Sequence, residues 1–299
     1  MPELSVVIPT YNRLETLELV IPTLLAQDLA PGDFELLVCD SNSSDGTAEY
    51  LAQVHAEHPN VRHLPGPYTG RAAARNAGID AARGEIVLFN DSDILASPDL
   101  LSQHLRHHRA QKNVAVVGLE VQVKDVADYE FKRDHPQARG FLHKPTRKRL
   151  PWLYFLTGNA SVRRDDLLRV GKFDESFTGY GHEDLELGYR LERAGIAILY
   201  EPLAVNYHCQ DVPHDDQKEK MKLAGRSTVR FYRKHPDFAV QLNLGMTPVS
   251  LGLHSLLTNV PALLGYFDAR ASDSKFARDL VQQYYYVSGI KQALKDTPG

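Results

Sequence analysis

The sequence predicts an α/β protein, with a mostly parallel β-sheet flanked by helices and a helical extension at the C-terminal end. Two observations support this class. In the first half of the 299-residue chain, short β-branched runs alternate with segments whose apolar residues recur at helical spacing. From about residue 215 onward, the sequence is typical of helix to its end.

The elements of the first half follow one another in a regular order. LSVVIPT predicts the first strand, and residues 14–27 carry apolar side chains at helical spacing. FELLVCD predicts a second strand, and SNSSDGT supplies capping side chains for the helix after it. NVRHLPG, GRAAARNAGIDAA and EIVLFNDSD predict a third strand, a helix and a fourth strand. Because ligands of such sheets bind beyond the carboxyl ends of the strands, we expect a site at that edge.

The second half is less regular. Residues 124–150 lack clear periodicity and are highly charged, which predicts a long loop or a lid. FLTGNASVRRDDLL predicts a strand and then a helix, GYGHEDLELGYRLERAG predicts another helix, and AILYEPLAVNYHC predicts a strand pair or a strand with an extended segment. The basic residues of the candidate lid belong either to a solvated loop or to a mobile element that contacts diphosphate. They are Arg139, His143, Lys144, Arg147, Lys148 and Arg149.

Composition excludes several classes of protein. The net charge is −4, from 34 basic and 38 acidic residues, which gives no support to a nucleic-acid binder. The two cysteines, Cys39 and Cys209, form neither a disulfide framework nor a zinc spacing, and they fit a reducing compartment. The N-terminal sequence does not resemble a signal peptide, and no continuous apolar run is long enough to span a membrane. We therefore expect a cytoplasmic protein.

The stretch FNDSDIL places Asp91 and Asp93 directly after the apolar residues of the fourth strand. Hard carboxylate oxygens in such a D-x-D pair suit Mn²⁺ or Mg²⁺, and these ions often also hold substrate phosphates. The alternative is a capped strand end with two solvated aspartates. The pair alone does not decide between them.

The pair occurs together with other blocks in a fixed order. SVVIPTYNR, VCDSNSSDGT, GRAAARNAGIDAARGEIVLFNDSD, TGNASVRRDDLLRVGKFDESFTGYGHEDLELGYRL and VNYH follow one another along the chain. This set resembles glycosyltransferase family 2, the inverting nucleotide-sugar transferases with the Rossmann-like GT-A fold, over about residues 3–210. We therefore expect a catalytic domain at 1–212, with a nucleotide-binding half at 1–93 and an acceptor-binding half at 94–212. A helical region would follow at 213–299.

The resemblance also implies a nucleotide site. Tyr11 would stack on the base, usually uracil, while Pro9 and Thr10 shape that wall. Asp40 would accept a hydrogen bond from the base N–H, although it and its neighbour also suit the cap of the following helix. The complete set implied for the nucleotide is Pro9, Thr10, Tyr11, Arg13, Asp40, Arg71, Asp91 and Ser92.

Arg71 and the metal ligands belong to the same resemblance. Arg71 would reach the base or the diphosphate, and either Arg71 or its neighbour Arg75 could instead pair with a surface carboxylate. Asp91 would hold the ribose or a metal-bound water. Asp93 and His208 would ligate the metal, whereas a lone histidine after a strand is otherwise structural.

The catalytic base is implied in HEDLEL. The pattern puts it on Asp184, with Glu183 binding an acceptor hydroxyl or orienting the loop. A base at a helix N-terminus must be partly desolvated, because the helix end lowers the pKa of a carboxyl group. Trp152, the single tryptophan, is either an apolar wall for a sugar ring in the acceptor site or a core residue.

The resemblance therefore implies an inverting, metal-dependent glycosyltransferase. It would move a sugar from a nucleotide diphosphate, most often UDP in this family, to a carbohydrate or lipid-linked acceptor hydroxyl in polysaccharide, cell-envelope or glycoconjugate synthesis. The alternatives are a nucleotidylyltransferase-like protein and an inactive sugar-nucleotide-binding protein. IPTYNR after the first strand argues against the former, which needs a glycine-rich loop with lysine.

The C-terminal region contains an uncharged stretch. Residues 238–267 have no Asp, Glu, Lys or Arg, and their leucines form a helical stripe that Pro261 interrupts. The stripe packs on the catalytic domain, forms a homodimer, or lies peripherally in a membrane interface, where upstream arginines meet anionic lipid. The stripe is Leu253, Leu256, Leu257, Val260, Leu264 and Phe267, and the basic residues are Arg226, Arg230, Arg233 and Lys234.

Overall fold

The computed structural model describes residues 1–140, 145, 147–209 and 214–296. It divides into two compact units: Met1–Thr178 with Glu183–Asp211, and Gly179–His182 with Val212–Gly299. Of the basic residues predicted for the lid, His143 and Lys144 lie outside the described residues.

Within the described part of the chain, the first unit is built on a mixed sheet of nine strands. The strands are β1 (Leu4–Thr10), β2 (Phe34–Asp40), β3 (Val61–Pro65), β4 (Ile86–Phe89), β5 (Ile94–Ala96), β6 (Val114–Val123), β7 (Arg149–Leu150), β8 (Ala160–Arg163) and β9 (Ala197–Cys209). Their spatial order is β3-β2-β1-β4-β8-β6-β9-β5, and β7 pairs with β9.

Helices flank the sheet and make up the second unit. Those of the first unit are α1 (Leu14–Leu25), α2 (Thr47–Glu57), α3 (Arg71–Ala81), α4 (Leu100–Ala110), α5 (Val126–Asp134), α6 (Arg164–Val170) and α7 (Glu183–Arg193). Those of the second unit are α8 (His214–Lys234), α9 (Phe238–Asn243), α10 (Pro248–Asn259), α11 (Pro261–Asp268) and α12 (Lys275–Lys295). The α/β class with a helical C-terminal region is therefore confirmed.

The parallel half of the sheet aligns its strand ends. Strands β1, β2 and β4 are buried along their whole length, as their continuous apolar runs require of strands covered by helices on both faces. Thr10 lies opposite Asp40 in the β1–β2 ladder, and the backbone N–H of Asn90 donates to the carbonyl of Val7. The residues that follow these strands consequently share one edge of the sheet.

The second half adds antiparallel pairs. Strand β8 runs antiparallel between β4 and β6, and β5 runs antiparallel to β9. Strand β9 is one strand of 13 residues rather than two, but its register with β6 shifts between Val117 and Leu119, whose partners are Tyr200 and Val205. The two segments predicted there correspond to the regular stretches on either side of this shift.

The long loop predicted at 124–150 is wrong in its first part, because α5 occupies Val126–Asp134. The carboxylate of Asp125 caps the helix by accepting from the N–H of Asp128, and Lys132 pairs with Asp128 at 2.8 Å. Only Tyr129 is buried in this helix, so no apolar stripe marks it in the sequence. Capping and local charge pairs, not periodicity, define it.

The second unit is held together by close contact between α8 and α12. A Cβ atom added to Gly289 would lie 2.0 Å from the carbonyl oxygen of Lys222, so the two backbones touch there. The loop of this unit, Gly179–His182, attaches through the His182 ring, whose Nε2 lies 2.7 Å from Thr228 Oγ1. Glycine is required at this helix crossing because any side chain would separate the helices.

The predicted apolar stripe of the second unit is covered unevenly. Leu257 is buried, whereas Leu253, Leu256 and Val260 are 39%, 53% and 41% exposed. The stripe as a whole is therefore not core. Among the residues that the structure describes, no helix combines the length and apolar character needed to cross a membrane.

Candidate active site

The loops after β1 and β2 are joined by side chains. The N–H of Asn12 donates to Ser43 Oγ at 2.8 Å, and Asn12 Oδ1 accepts from the N–H of Ser44 at 2.8 Å. Ser43 in turn donates to Asp40 Oδ1 through its N–H and its hydroxyl. Tyr11, 61% exposed, precedes Asn12 on this joined surface, where its ring is open to a planar ligand.

Asp40 is buried at the end of β2, and its carboxylate is already engaged. Besides the two bonds from Ser43, its Oδ2 lies 3.2 Å from Nε2 of His63 on β3. These contacts are those of a residue that organises the following loop. Recognition of the nucleotide base by Asp40 stays a prediction.

The other residues predicted for the nucleotide differ in exposure. Pro9 and Thr10 are buried at the end of β1, and Thr10 Oγ1 is a buried atom with no hydrogen-bond partner among the described residues. Arg13 is exposed at the start of α1, and Ser92 is buried within the D-x-D turn. Of these four residues, the exposed Arg13 is therefore the one accessible to a ligand at this edge.

Arg75 on α3 lies at the centre of the site. Its side chain is 1% exposed, and its guanidinium donates to Asp91 Oδ1 at 2.7 Å and to Glu183 Oε1 at 3.1 Å. Arg71, one turn earlier, lies 3.4 Å from the same Glu183 oxygen. One planar cation thus joins the residue that follows β4 to the first residue of α7. A guanidinium fork suits two carboxylates in a way that an ammonium group does not.

The charges of this network set the state of the carboxylates. Desolvation would raise the pKa of Asp91, but Arg75, and then Arg71, hold it below its usual value. Asp91 is therefore ionised at neutral pH. The guanidinium carbon of Arg75 lies 5.6 Å from the centroid of the Phe173 ring, which covers one face of the cation.

Asp184, predicted as the base, has the opposite shift. Burial, and next the neighbouring charge of Glu183, raise the pKa of Asp184 to about 7, while Arg75 opposes the change. Its Oδ1 accepts from the N–H of Leu185 at the start of α7. A carboxylate whose pKa lies near neutrality can take a proton from a hydroxyl far better than an ordinary aspartate.

Asp93 and His208 are brought together by the β5–β9 ladder, in which Ile94 lies opposite His208. Asp93 Oδ1 is 3.6 Å from Nε2 of His208, and the Nδ1 of that ring is 3.3 Å from Glu120 Oε1. Burial alone would lower the pKa of His208, but the carboxylates of Asp93 and Glu120 on either side of the ring raise it to about 10. The site therefore favours a positive charge between them.

The donor atoms present fit a divalent cation. Two ligands with bonds of about 2.1 Å to one ion lie roughly 3–4 Å apart, and the Asp93–His208 separation falls in this range. Within the described ranges, no three His, Cys, Asp or Glu side chains form a complete metal cage. Mg²⁺-type ions commonly have only one or two protein ligands and complete their shell with water and substrate phosphate.

Trp152 lies in the core rather than on an open surface. It is 4% exposed and packs edge to face on Tyr189 of α7, with ring centroids 5.7 Å apart. Gly188 makes this packing possible, since a Cβ there would lie 2.9 Å from the carbonyl oxygen of Trp152. Of the two alternatives for this residue, the structure thus favours packing.

Sequence reasoning considered Arg75 only as a partner of a surface carboxylate and did not single out Glu120, although both contact predicted site residues. Arg75 stands among alanines and glycine in GRAAARNAGIDAA, so a cation on the buried face of a small-residue helix was the available signal. In VAVVGLEVQV the pattern changes from continuous apolar to alternating at Glu120 and Gln122, which marks one polar face at the strand end.

Comparison with known sequences identifies related proteins. The profile of glycosyl transferase family 2 matches residues 5–171, and a profile described as the N-terminal domain of galactosyltransferase matches residues 141–210. Validoxylamine A glucosyltransferase of Streptomyces hygroscopicus subsp. limoneus is 32% identical over 277 residues, which cover 83% of this chain and 60% of that protein. The chain thus spans about 60% of the length of this relative.

Comparison with solved structures supports the fold. The mannosyltransferase PcManGT from Pyrobaculum calidifontis, solved with GDP-Man and Mn²⁺, superposes with a TM-score of 0.66 at 22% identity, covering 99% of this chain and 88% of that one. TarS 1-349 from S. aureus, solved with UDP, gives a TM-score of 0.57 at 18% identity, with coverages of 99% and 92%. The sheet and its flanking helices are thus those of GT-A-type glycosyltransferases.

Proposed function

Because this chain belongs to glycosyltransferase family 2, we propose that it transfers a sugar from a nucleoside-diphosphate donor to an acceptor hydroxyl with inversion at the anomeric carbon. The observation that carries this proposal is the position of Arg75. Its guanidinium ties the D-x-D turn, through Asp91, to the helix that begins with Glu183 and Asp184. The donor-side and acceptor-side carboxylates thereby lie on one rigid frame.

Asp184 and Glu183 have different roles in the displacement at the anomeric carbon. Asp184 accepts the proton of the acceptor hydroxyl as that oxygen attacks the anomeric carbon, and its raised pKa suits this step. A single base with direct attack, and no covalent intermediate, inverts the anomeric centre. Glu183, held by Arg75 and Arg71, fixes the start of α7 and so the direction of the base.

Asp93 and His208 are proposed to hold Mn²⁺ or Mg²⁺. When bound, the ion offsets the negative charge that develops on the leaving diphosphate. Asp91 is kept ionised by Arg75 and is oriented toward the ribose or the metal-bound water. The neighbour from P. calidifontis, solved with Mn²⁺, supports this assignment for the fold.

The donor is proposed to be a UDP-sugar that is bound by residues 1–93, and the acceptor is proposed to be bound by residues 94–212. Tyr11 supplies an exposed ring for the base, and Asp40 lies at the end of the adjacent strand. The two solved neighbours bind different nucleotides, GDP-Man and UDP, so the choice rests on Asp40 and Tyr11.

Calorimetric titration tests the nucleotide and the metal together. UDP, GDP, TDP and ADP are titrated into the wild-type protein and into Asp93→Ala, with Mn²⁺ and with chelator. We expect UDP to bind most tightly, TDP to follow closely because its base edge is the same, and binding to weaken in chelator and in the variant. Wild-type binding that is unchanged by strong chelation would contradict the metal assignment.

Turnover tests the activity against the two alternatives. Release of UDP from UDP-sugars is measured with a panel of carbohydrate and lipid-linked acceptors. A nucleotidylyltransferase would instead release pyrophosphate from a nucleoside triphosphate and a sugar phosphate. An inactive binding protein would bind the donor without releasing nucleotide with any acceptor or with water.

A further inference from the structure

Glu120 has a defined place beside the proposed metal site that the mechanism above does not use. It lies on β6, and the parallel β6–β9 ladder sets Gln122 opposite His208. Glu120 and Gln122 therefore project on the same face of the sheet as that ring. Glu120 Oε1 lies 3.3 Å from His208 Nδ1, on the side of the imidazole away from Asp93.

The carboxylate of Glu120 is held through its Oε1 atom. Gln122 Nε2 donates to Oε1 at 2.8 Å, and the same amide nitrogen lies 3.2 Å from His208 Nδ1. A Cβ atom added to Gly158 would lie 2.9 Å from Oε2, so the glycine leaves the space that this second oxygen occupies. These contacts direct Oε1 toward the imidazole ring.

Gln122 Nε2 carries two N–H donors, and one of them is directed to Glu120 Oε1. A carboxylate oxygen can only accept, so Glu120 Oε1 favours the forms of the His208 ring that carry a proton on Nδ1. In those forms a metal can take the place of the proton on Nε2, on the side of Asp93.

We infer that Glu120 is a positioning residue, which holds His208 in the orientation and tautomer that direct Nε2 to the metal beside Asp93. The inference rests on the proposed function, because it assigns a role toward the same metal. Carboxylates that accept the second N–H of a ligating histidine fix the ring and increase its basicity. Glu120 acts through His208 and contacts no reacting atom.

The test measures Mn²⁺ affinity by the EPR signal of free Mn²⁺, with saturating UDP, in the holoprotein and its variants. Glu120→Ala is expected to weaken Mn²⁺ binding about 10–100-fold, the usual effect of removing such a partner. Glu120→Gln is expected to lose less, because its amide oxygen still accepts from Nδ1. At saturating Mn²⁺, kcat should return close to the wild-type value. Glu57→Gln, an exposed glutamate at the end of α2, is the matched control and should change neither quantity.

Introducing Glu120→Ala into the His208→Ala protein distinguishes a positioning role of Glu120 from other roles. If Glu120 acts through the ring, Glu120→Ala causes no further loss of Mn²⁺ affinity in that background. A further loss there, or an unchanged affinity in both single variants at Glu120, overturns the inference while leaving the proposed function intact. Absence of Mn²⁺ binding by the wild-type protein would instead overturn the metal assignment itself, and with it this inference. Thermal unfolding of each variant checks that the fold is retained.

Discussion

Replacing Arg75 by methionine should destabilise the first unit strongly, because it leaves two carboxylates without their shared cation. Breaking a buried ion pair by removing one partner costs about 3–5 kcal/mol. Asp91 is 30% exposed and can recover part of its hydration, whereas Glu183 is 5% exposed and cannot. Arg71 remains 3.4 Å from Glu183 and compensates in part. We therefore expect the lower end of the range, about 3 kcal/mol.

The assay is urea unfolding followed by circular dichroism, with thermal unfolding as a second measure. A loss of about 3 kcal/mol corresponds to a fall in Tm of roughly 6–12 °C for a unit of this size. Arg71→Met is the matched control: its side chain is 44% exposed and its pair is longer, so we expect at most about 1 kcal/mol. Arg75→Lys should fall between the two, because one ammonium cannot replace a fork that bonds both carboxylates.

A double variant makes the reasoning refutable. If the unpaired Glu183 is the source of the loss, Glu183→Gln in the Arg75→Met protein should restore stability relative to Arg75→Met alone. Equal stability of Arg75→Met and Arg71→Met, or no recovery in the double variant, would show that the network does not hold the two motifs together. Arg75 also opposes the raised pKa of Asp184, so surviving activity should require a higher pH.

Three further predictions concern the base, the nucleotide and acid stability. Asp184→Asn should lower kcat about 10²–10⁴-fold with nucleotide affinity little changed. In the wild-type protein, kcat should rise with pH through about 7 and then level off, because deprotonated Asp184 accumulates. Asp40→Ala should weaken UDP binding by about 1–3 kcal/mol and remove the preference for UDP over GDP in calorimetry. The free energy of unfolding should fall as pH drops below 6.5, because burial lowers the pKa of His104 to about 4 and that of His108 to about 3, and both must stay neutral in the folded protein. His108→Leu should remove part of this pH dependence in urea titrations at pH 7.5 and 5.

Matched control variants exist for the predictions on the base and on acid stability. Asp165→Asn changes an exposed carboxylate in the first turn of α6 and should leave kcat and its pH profile unchanged. Near wild-type turnover in Asp184→Asn would move the base elsewhere, and equal wild-type affinity for UDP and GDP would contradict the role of Asp40. His58→Leu removes an exposed histidine and should leave the pH dependence of stability as it is. Identical pH curves for His108→Leu and the wild type would contradict the linkage to that ring.

The predicted loss of stability in acid follows from the way the His104 and His108 rings are buried in the fold. Their rings share the hydroxyl of Ser161, which lies 2.8 Å from Nδ1 of His104 and 2.8 Å from Nε2 of His108. That hydroxyl donates to one ring and accepts from the other, so a proton added to His104 Nδ1 would replace an acceptor by a donor. The sum of desolvation and this mismatch keeps both rings neutral at ordinary pH.

The sequence by itself indicated where the polar side chains would collect. Short apolar runs that alternate with helical segments predict a parallel sheet covered on both faces, so the polar residues that end the runs, such as Thr10, Asp40 and Asp91, are expected at its carboxyl edge. The family was indicated by a resemblance, since the motif blocks follow the order found in glycosyltransferase family 2. These features are local, since each depends on residues within one strand–loop–helix segment.

Only the tertiary structure decided which side chains cooperate. The partners Arg75 and Glu183 are 108 positions apart, and Glu120 reaches His208 only because β6 and β9 are neighbours in the sheet. Hydrophobic periodicity predicts that a strand is buried but not which strand lies beside it. A charged residue such as Arg75 or Glu120 therefore acquires its role from the order and register of the sheet, which place a carboxylate or an imidazole within reach of it.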